Sequence, residues 1–461
     1  MALTRRQLIA RMSALAALAA GGGWPLAATA RRKRIMVWRN WSGAQQCVPA
    51  ERFAPGDEME LADWLRATPY SVRPVGAGHS FSAVVPTDGA LLTLARMQGL
   101  ISHDADKHQA EFHGGTAMAT MGPALKEVGQ GMLNMADIDY QTLAGALATS
   151  THGTGIGFGS YSSNITGLRL VTAGGEVIDC DADNRPEVFN AACVSLGALG
   201  VVTRVRLQNR SAFRLKERMS VEKTEDLLDN IDSLVRENRH WEMQVVTHSD
   251  YAASISLNET DEEPTPVEEG ASEGGNEYLY WMQKADQYGR DAPGARRALL
   301  NLVAGFADFE ERVGESWEIY ANVRDVRFNE MEYSVPAEAG PACLREIIQT
   351  INEQQLHTWF PIEYRYIKAD EIPISMFEGR DSCAISIHQH YSQSWHEYFG
   401  AIEKIFWKYE GRPHWGKLHS LNARHLGSLY PRWEEFTEVR QALDPQGKFL
   451  NGHLRSLFGV T

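Results

Sequence analysis

The sequence predicts an α+β protein of two domains, and three observations carry that reading. Its 461 residues exceed what one hydrophobic core organises, so two units of roughly 200 residues are expected. Runs such as Ile165–Val171, Pro361–Tyr366 and Cys383–His390 alternate with the period of two that half-buried antiparallel strands show. The texture also changes near Ala212. Before it the strands are short and glycines are dense; beyond it the strands lengthen and aromatic residues become frequent. The expected organisation is a leader over 1–30, a first domain over 31–212, a second over 213–419 and a closing segment over 420–461 that returns to the first.

The leader has its own signature. Thr4-Arg5-Arg6-Gln7-Leu8-Ile9 supplies a twin arginine, an apolar run follows from Leu8 to Ala20, and Ala28-Thr29-Ala30 is a small-x-small cleavage site. The run is shorter than the ~20 residues of a membrane helix, so cleavage after Ala30 and no stable membrane insertion are expected. Twin-arginine signals carry proteins that fold before export, a route suited to a protein that loads a cofactor in the cytoplasm. The mature chain is expected in the periplasm. The full chain's formal charge of -14 and pI near 5.6 argue against a general nucleic-acid binder, which needs a basic footprint. Five scattered cysteines, Cys47, Cys180, Cys193, Cys343 and Cys383, form no disulfide framework and no metal-ligand spacing; one disulfide stays open, with no pair selected.

Taken in order, Arg31–Arg34 reads as a solvated arm and Asp57–Ala67 as an amphipathic helix burying Met59, Leu61 and Leu65. A strand ends at Val75 and another runs over Leu91–Leu94. Glu111–Thr116 is a strand and turn, followed by a helix that starts at Thr116 or Thr120, reaches about Val128 and is ended by Gly131-Met132-Leu133. Ala173-Gly174-Gly175 joins two strands of a hairpin, and Glu187–Ser195 is a helix leading into a strand from Val201. In the second domain, helices are expected over Lys223–Glu237, Arg296–Phe309 and Trp395–Tyr409, with a strand over Glu242–Val246. Residues 258–276 are acidic and of low complexity and read as a mobile excursion, with acids that could meet a basic partner.

Three glycine-rich stretches interrupt this plan. Arg73-Pro74-Val75-Gly76-Ala77-Gly78-His79-Ser80 runs a strand into two glycines, which let backbone amides approach an anion or a flat ligand. The stretch from Ala144 and Gly145 through Thr149 to His152, Gly153 and Thr154 is small and uncharged. It offers little apolar area for a core but suits a backbone lying against a large ligand. Gly200 and Val201 follow a third such turn. A GxGxxG at a strand–helix junction is missing. In the second domain, Glu363 and Arg365 share one strand face, as do Ser386, His388 and His390 on another. Polar faces of adjacent strands can line one cavity.

These residues carry a resemblance. Asn40-Trp41-Ser42-Gly43 with Cys47 and Pro49, Gly76–Ser80 with Thr87-Asp88-Gly89, Thr151–Gly155, Phe328-Asn329-Glu330-Met331-Glu332-Tyr333, Glu363 with Arg365, and His414-Trp415-Gly416-Lys417 occur in that order. The chain resembles, from about Asn40 to Asn451, the aldonolactone oxidoreductases of the vanillyl-alcohol-oxidase flavoprotein group. That group includes gulonolactone and arabinonolactone oxidases, galactonolactone dehydrogenase and the related alditol oxidases. The resemblance implies a two-part FAD-binding domain of the vanillyl-alcohol-oxidase type, plus an α+β substrate (cap) domain built on an antiparallel sheet.

It further implies FAD held by Gly76, Ala77, Gly78, Ser80, Ala144, Gly145, Thr149, His152, Gly153, Thr154, Gly200 and Val201, with a covalent bond at His79. A hydride would pass from a carbinol carbon to flavin N5. Glu363 and Arg365 would stand at the substrate and Lys417 near flavin N1, where a cation stabilises charge on the reduced ring. Ser386 and His388 join them by strand parity. The implied substrate is an aldono-1,4-lactone of the gulono, galactono or arabinono series. The alternatives are an alditol or free-sugar oxidase of the same fold and, in another class, a non-catalytic exported carbohydrate-binding protein. Electrons would go to O2 or to a cytochrome or quinone.

Overall fold

Three short strands, Glu51–Phe53, Ala90–Leu92 and Val72–Pro74, lie parallel in that spatial order near the start of the chain. Parallel neighbours need a crossover, and the helix Glu58–Ala67 sits between the first and last of them in sequence. Asp57 caps it, its Oδ1 accepting from the Glu60 amide at 2.8 Å. Leu61, Ala62 and Leu65 are buried against Val72, Ala90, Leu92 and Phe449. Met59 is instead 71% exposed, because two residues' rotation at 100° each carries it away from Leu61. The computed structural model that shows this describes residues 36–266, 274–304, 311–322 and 326–460; the expected leader and the Arg31–Arg34 arm lie outside the described residues.

A five-stranded antiparallel sheet follows, in the order Val177–Cys180, Ile165–Val171, Val201–Gln208, Gln109–His113, Leu100–Asp104. The hairpin turn at Gly175 takes φ +72°, a left-handed conformation natural to glycine. The helix Met118–Glu127 ends near Val128 as expected, but Gln130–Gly131 then pairs with Arg210–Ser211 as a small ribbon. Part of the expected glycine-rich loop is helical, over Leu143–Ala148, where Leu143, Ala146 and Leu147 supply a buried stripe.

The largest sheet has eight strands in the order Arg312–Glu315, Arg214–Lys223, Tyr251–Thr260, His240–Val245, Ile362–Ile367, Ser382–His390, Phe328–Pro336, Arg412–Pro413, with every pair antiparallel. The helices Gly340–Glu353 and His396–Lys408 pack on one face. Tyr333 stacks on Phe406 at 4.8 Å and donates to Glu403 at 2.6 Å, so the odd-numbered residues of its strand turn toward these helices and Glu330 and Glu332 turn away. The two larger sheets divide the chain between 208 and 214, while one cluster of buried hydrophobics runs through both, from Val84 to Phe458. The closing segment packs back on the first strands: Val72 donates to Lys448 O at 2.8 Å, and Asn451 Nδ2 donates to Ala83 O and Pro86 O at 2.9 Å.

Several expectations are corrected. The helix expected over Lys223–Glu237 is two helices, Thr224–Asp229 and Ile231–Glu237. Asn230 separates them and its side chain bonds Asp226 O at 2.8 Å, a local bond that competes with helix. The acidic excursion does not begin at Asn258, because Asn258–Thr260 completes a strand paired with Arg214–Lys216. Its acids are held by bases distant in sequence: Glu259 meets Arg210 and Arg239 at 2.7 Å from the latter, and Glu262 meets Lys216 at 3.1 Å. Residues 267–273 lie outside the described residues, and a helix resumes over Gly274–Gly289. The next helix is Pro293–Ala304, with 305–310 again outside. All five cysteines are free thiols, and no helix among the described residues is long and apolar enough to cross a membrane.

Candidate active site

Strand register builds the centre of the site. Glu330 lies opposite His388, and Glu332 opposite Ser386, which in turn lies opposite Glu363. Directly opposed residues bring their side chains within about 5.5 Å, so residues far apart in sequence form one polar face. The loop after Arg412–Pro413 closes over it: His414 N donates to Glu332 O at 3.0 Å and Leu418 N to Glu330 O at 2.9 Å. The pocket in front of this face is lined also by Trp41, His79, Phe81, Asp137, Tyr140, His152 and Lys417.

Two buried carboxylates organise it. Glu330 is 3% exposed and Glu332 2% exposed. Glu330 accepts from Lys417 Nζ and faces His388 Nε2 at 3.6 Å. Glu332 takes His152 Nε2 at 2.6 Å on one oxygen and the Ser386 hydroxyl at 2.7 Å on the other, with Arg365 Nη2 at 3.7 Å. Arg365 also donates to Glu363 Oε2 at 2.5 Å. Burial alone would push both glutamates up, but the neighbouring Lys417 and His388 hold Glu330 well below the usual carboxylate range, and His152, His414 and Arg365 do the same for Glu332. Burial lowers Arg365, yet Glu363 and Glu332 outweigh it and raise it above its ordinary value. His388 is raised too, because Glu330 outweighs its burial. His414 goes the other way: burial drops it to about 3. Its Nδ1 accepts from the Gly416 amide at 3.0 Å, which places the ring proton on Nε2. Although His152, Glu332 and His414, and likewise Glu330, Glu363 and His388, bring ligand-type atoms within 4.8 Å, that tautomer and the cations already on the carboxylates make these ion-pair networks.

A second cleft opens beside this pocket and shares His79, Ser80, Gln141 and Thr149 with it. It encloses about 1060 Å3 including its open mouth, and its walls are Gly76–Ser80, Gly114, Ala144, Gly145, Ser195–Gly197, Gly200 and Val202. A Cβ on Gly76 would stand 2.1 Å from Thr142 Oγ1, and one on Gly114 2.2 Å from Val202 O, so the walls close this tightly because they carry no side chains. Arg73, 2% exposed, ties the cleft to its surroundings, donating to Val84 O at 2.7 Å, Leu196 O at 2.7 Å, Gly197 O at 3.1 Å and Phe449 O at 2.5 Å. His79 stands at the junction, between the rings of Trp41 at 5.6 Å and Tyr140 at 6.0 Å. Burial, with Lys417 nearby, lowers it to about 4, so its imidazole is neutral.

Of the residues expected at a cofactor, Gly76, Ala77, Gly78, His79, Ser80, Ala144, Gly145, Thr149 and Gly200 line this cleft. His152 does not; its Nδ1 donates to the Gly153 carbonyl at 2.9 Å and its Nε2 bonds Glu332, which places it in the polar pocket. Gly153 and Thr154 line neither space. Gly153 packs on Met135 O, 2.2 Å from where a Cβ would be, and Thr154 donates to Trp241 O at 2.7 Å. Val201 turns into the core, and its neighbour Val202 faces the cleft, as strand alternation requires. Glu363, Arg365, His388 and Lys417 line the pocket, whereas Ser386 sits behind it as a partner of Glu332. Glu330, Glu332, His414, Trp41 and Tyr140 were given no role by the sequence. For the two glutamates a signal existed: acids at alternate positions, with Met331 between them and Tyr333 after, share one face of the strand.

A family model described as D-arabinono-1,4-lactone oxidase matches residues 205–457, and an FAD-binding-domain model matches 49–181. The chain belongs to the D-arabinono-1,4-lactone oxidase family. Over 433 residues it is 36% identical to an L-gulono-1,4-lactone dehydrogenase of Mycobacterium tuberculosis, covering 92% of this chain and 99% of that one. It is 28% identical to the L-gulonolactone oxidase of Bos taurus over 91% of this chain and 98% of that one, and 27% identical to an alditol oxidase of a Streptomyces species over the same shares. Among solved structures, cholesterol oxidase from Brevibacterium sterolicum superposes with a TM-score of 0.74 at 15% identity, over 92% of this chain and 96% of that one, and so shares the fold.

Members of this family are FAD-dependent oxidoreductases, and the cleft fits that cofactor. Among the described residues, the five consecutive amides from Gly76 to Ser80 donate to no protein acceptor. Such a row of N–H groups can satisfy a buried pyrophosphate, which would be costly without donors. FAD when bound supplies the electron acceptance that side chains lack, and the shared residues at His79 set the polar pocket directly against its cleft.

Proposed function

We propose that the protein oxidises the carbinol carbon of an aldono-1,4-lactone of the gulono, galactono or arabinono series. The observation that carries this reading is the face formed by Glu330, Glu332, Glu363, Arg365, His388 and Lys417 beside an FAD-binding cleft. Arg365 and Lys417 keep N–H donors for hydroxyl and lactone oxygens after their ion pairs are made, since a guanidinium has five and an ammonium three. His388 Nδ1 donates to Pro361 O at 3.0 Å and its Nε2 faces Glu330 at 3.6 Å. That carboxylate raises the ring's affinity for a proton, so a deprotonated Nε2 is the acceptor for the hydroxyl proton and the pair with Glu330 stabilises the imidazolium that results. Glu363, held by Arg365, orients the hydroxyl rather than removing its proton. The rings of Trp41 and Tyr140 flank His79 on either side of the junction of the two spaces.

In this reading His79 bonds covalently to the flavin. Its neutral imidazole forms no hydrogen bond among the described residues, which leaves a lone pair for that bond. A tethered cofactor suits an enzyme exported by the twin-arginine route to the periplasm, where it cannot be reloaded. The electron acceptor is O2 or a cytochrome or quinone. The test uses purified mature protein. Acid denaturation should leave the yellow colour on the polypeptide, and anaerobic gulono-, galactono- and arabinono-1,4-lactones should bleach the oxidised-flavin band. Bleaching by xylitol or sorbitol but by no lactone would replace this substrate class with alditols. Reoxidation by air against reoxidation by cytochrome c then identifies the acceptor.

A further inference from the structure

The pocket holds its cations in an unusual way. Both fixed cations are matched from behind by carboxylates that occupy alternate positions on one strand: Glu330 against Lys417, and Glu332 against Arg365. Both glutamates are almost fully buried, while Lys417 keeps 19% of its side chain open and lies 5.1 Å from the centre of the Phe81 ring. Glu363 and Asp137 add two more acids to the lining. Among the described lining residues, four carboxylates therefore stand with two fixed cations, Lys417 and Arg365, and with two imidazoles, His388 at 3.6 Å from Glu330 and His152 at 2.6 Å from Glu332.

An anionic ligand entering here meets cations whose charge is already cancelled. An uncharged polyol meets the same N–H donors at full strength, because hydrogen bonding uses donors and not net charge. We propose that Glu330 and Glu332 are specificity-determining residues that restrict the pocket to uncharged polyhydroxylated substrates and turn away the carboxylate form of the same carbon skeleton. The inference rests on the reading of this pocket as the substrate site and deepens it. A lactone and the aldonate formed by its hydrolysis differ in this one respect, and the pocket separates them before any chemistry. Like-charge juxtaposition at a buried site costs several kcal/mol, or ~100-fold in affinity.

The geometry assigns the two residues comparable but separable parts. Glu330 is coupled to Lys417 and His388, Glu332 to Arg365, His152 and Ser386. Replacing either by its neutral amide keeps the shape and frees one positive charge toward the pocket. Each single replacement should therefore recover part of the affinity for an anion, at a cost to the alignment of its own cation.

The experiment is calorimetric titration of the FAD-loaded enzyme with gulonamide and with gulonate, an uncharged and a charged ligand of one skeleton. Gulonamide should bind ~100-fold more tightly than gulonate, and E330Q and E332Q should each narrow that gap by about tenfold. Gulonate bound within threefold of gulonamide, or no binding of gulonamide, overturns the proposal. So does an unchanged gap in folded, FAD-loaded E330Q and E332Q. If neither variant retains FAD, K417Q decides: removing the cation leaves Glu330 unmatched, so the gap must widen, and a narrower or equal gap refutes the assignment. Because binding is read without turnover, failure of lactones to bleach the flavin would remove the proposed reaction while leaving this result to stand or fall separately.

Discussion

The glycine-walled cleft and the polar pocket touch at His79 yet are built on opposite principles. The cleft is a backbone surface. Arg73 is the charged side chain among its described lining residues apart from neutral His79, and its donors are spent on carbonyls. The pocket is a side-chain surface, in which six ionisable groups from three strands and a loop hold one another in place. A backbone surface depends on what is absent, namely Cβ atoms; a side-chain surface depends on partners. Damage should therefore spread differently. A glycine replacement should act locally on cofactor loading, and removal of one charge should leave another buried and unmatched.

The largest separation is expected from Arg365→Ala. It strips Glu363 and Glu332 of their cation, and truncating one member of a buried charge pair costs about 2–5 kcal/mol, so kcat/KM on the lactone should fall by about 10^3-fold. Flavin content should not change, because Arg365 makes no contact with the cleft. Loss of flavin together with activity would show that the two regions are one cooperative unit. Gly76→Ala should do the reverse. Its Cβ would stand 2.1 Å from Thr142 Oγ1, and overpacking of about 1–3 kcal/mol should reduce the flavin-loaded fraction while the loaded molecules keep their KM. Gly76→Ala combined with Thr142→Ala should restore loading; if it does not, the clash is not the cause.

The cleft was legible in the sequence and the pocket was so only in part, for the same reason. Gly76, Gly78, Gly145 and Gly200 mark places where backbone must come close, and a glycine states that locally. Glu332 has no such local meaning: its partners Ser386 and Arg365 are joined to it by sheet register, which strand patterns suggest but do not number, and His152 reaches it from an irregular segment. Parity did place Glu363 with Arg365 and Ser386 with His388 on shared faces. It could not decide that Ser386 stands behind Glu332, or that His152 leaves the glycine-rich stretch for the acids. The same blindness made Glu259 and Glu262 look unattached, since Arg210, Arg239 and Lys216 are brought to them by strand pairing. Val201 shows the limit of reading by neighbourhood: a shift of one residue along a strand exchanges core for cleft.

The buried neutral histidines give the comparison a pH axis. His414 stays neutral in the folded chain down to about 3, while unfolded histidine takes a proton near pH 6.5. Between these values the native state binds fewer protons, so stability is complete above about pH 6.5 and is lost as pH falls toward 3, at about 1.4 kcal/mol per pH unit for one ring. His79, lowered to about 4, acts with the same sign. The paired glutamates, lowered in the fold, add their loss only as pH falls through the unfolded carboxylate value of about 4.3, so the onset separates the two sources. His414→Asn should flatten the fall in urea midpoint between pH 6.5 and 5 by about one proton's worth of slope. A slope equal to that of the native protein would mean that another residue dominates this window.

The smallest effect should come from Ser386→Ala, and it discriminates most finely. Ser386 is 1% exposed and donates to Glu332 Oε2 at 2.7 Å. Its loss still leaves Glu332 with His152 on its other oxygen and Arg365 close by. One hydrogen bond to a charged group contributes about 1.5–3 kcal/mol, and an acceptor that keeps its other partners should show the lower end, about tenfold in kcat/KM. If the partners of Glu332 act in parallel, Ser386→Ala and Arg365→Ala should differ by about two orders of magnitude. If they act as a single cooperative network, polarising one another in the low-dielectric interior, the two losses should approach each other and the double variant should be no worse than Arg365→Ala alone. Measuring both singles and the double on the same lactone therefore determines whether this surface is held by a sum of contacts or by one linked arrangement, a question that the glycine-walled cleft does not pose.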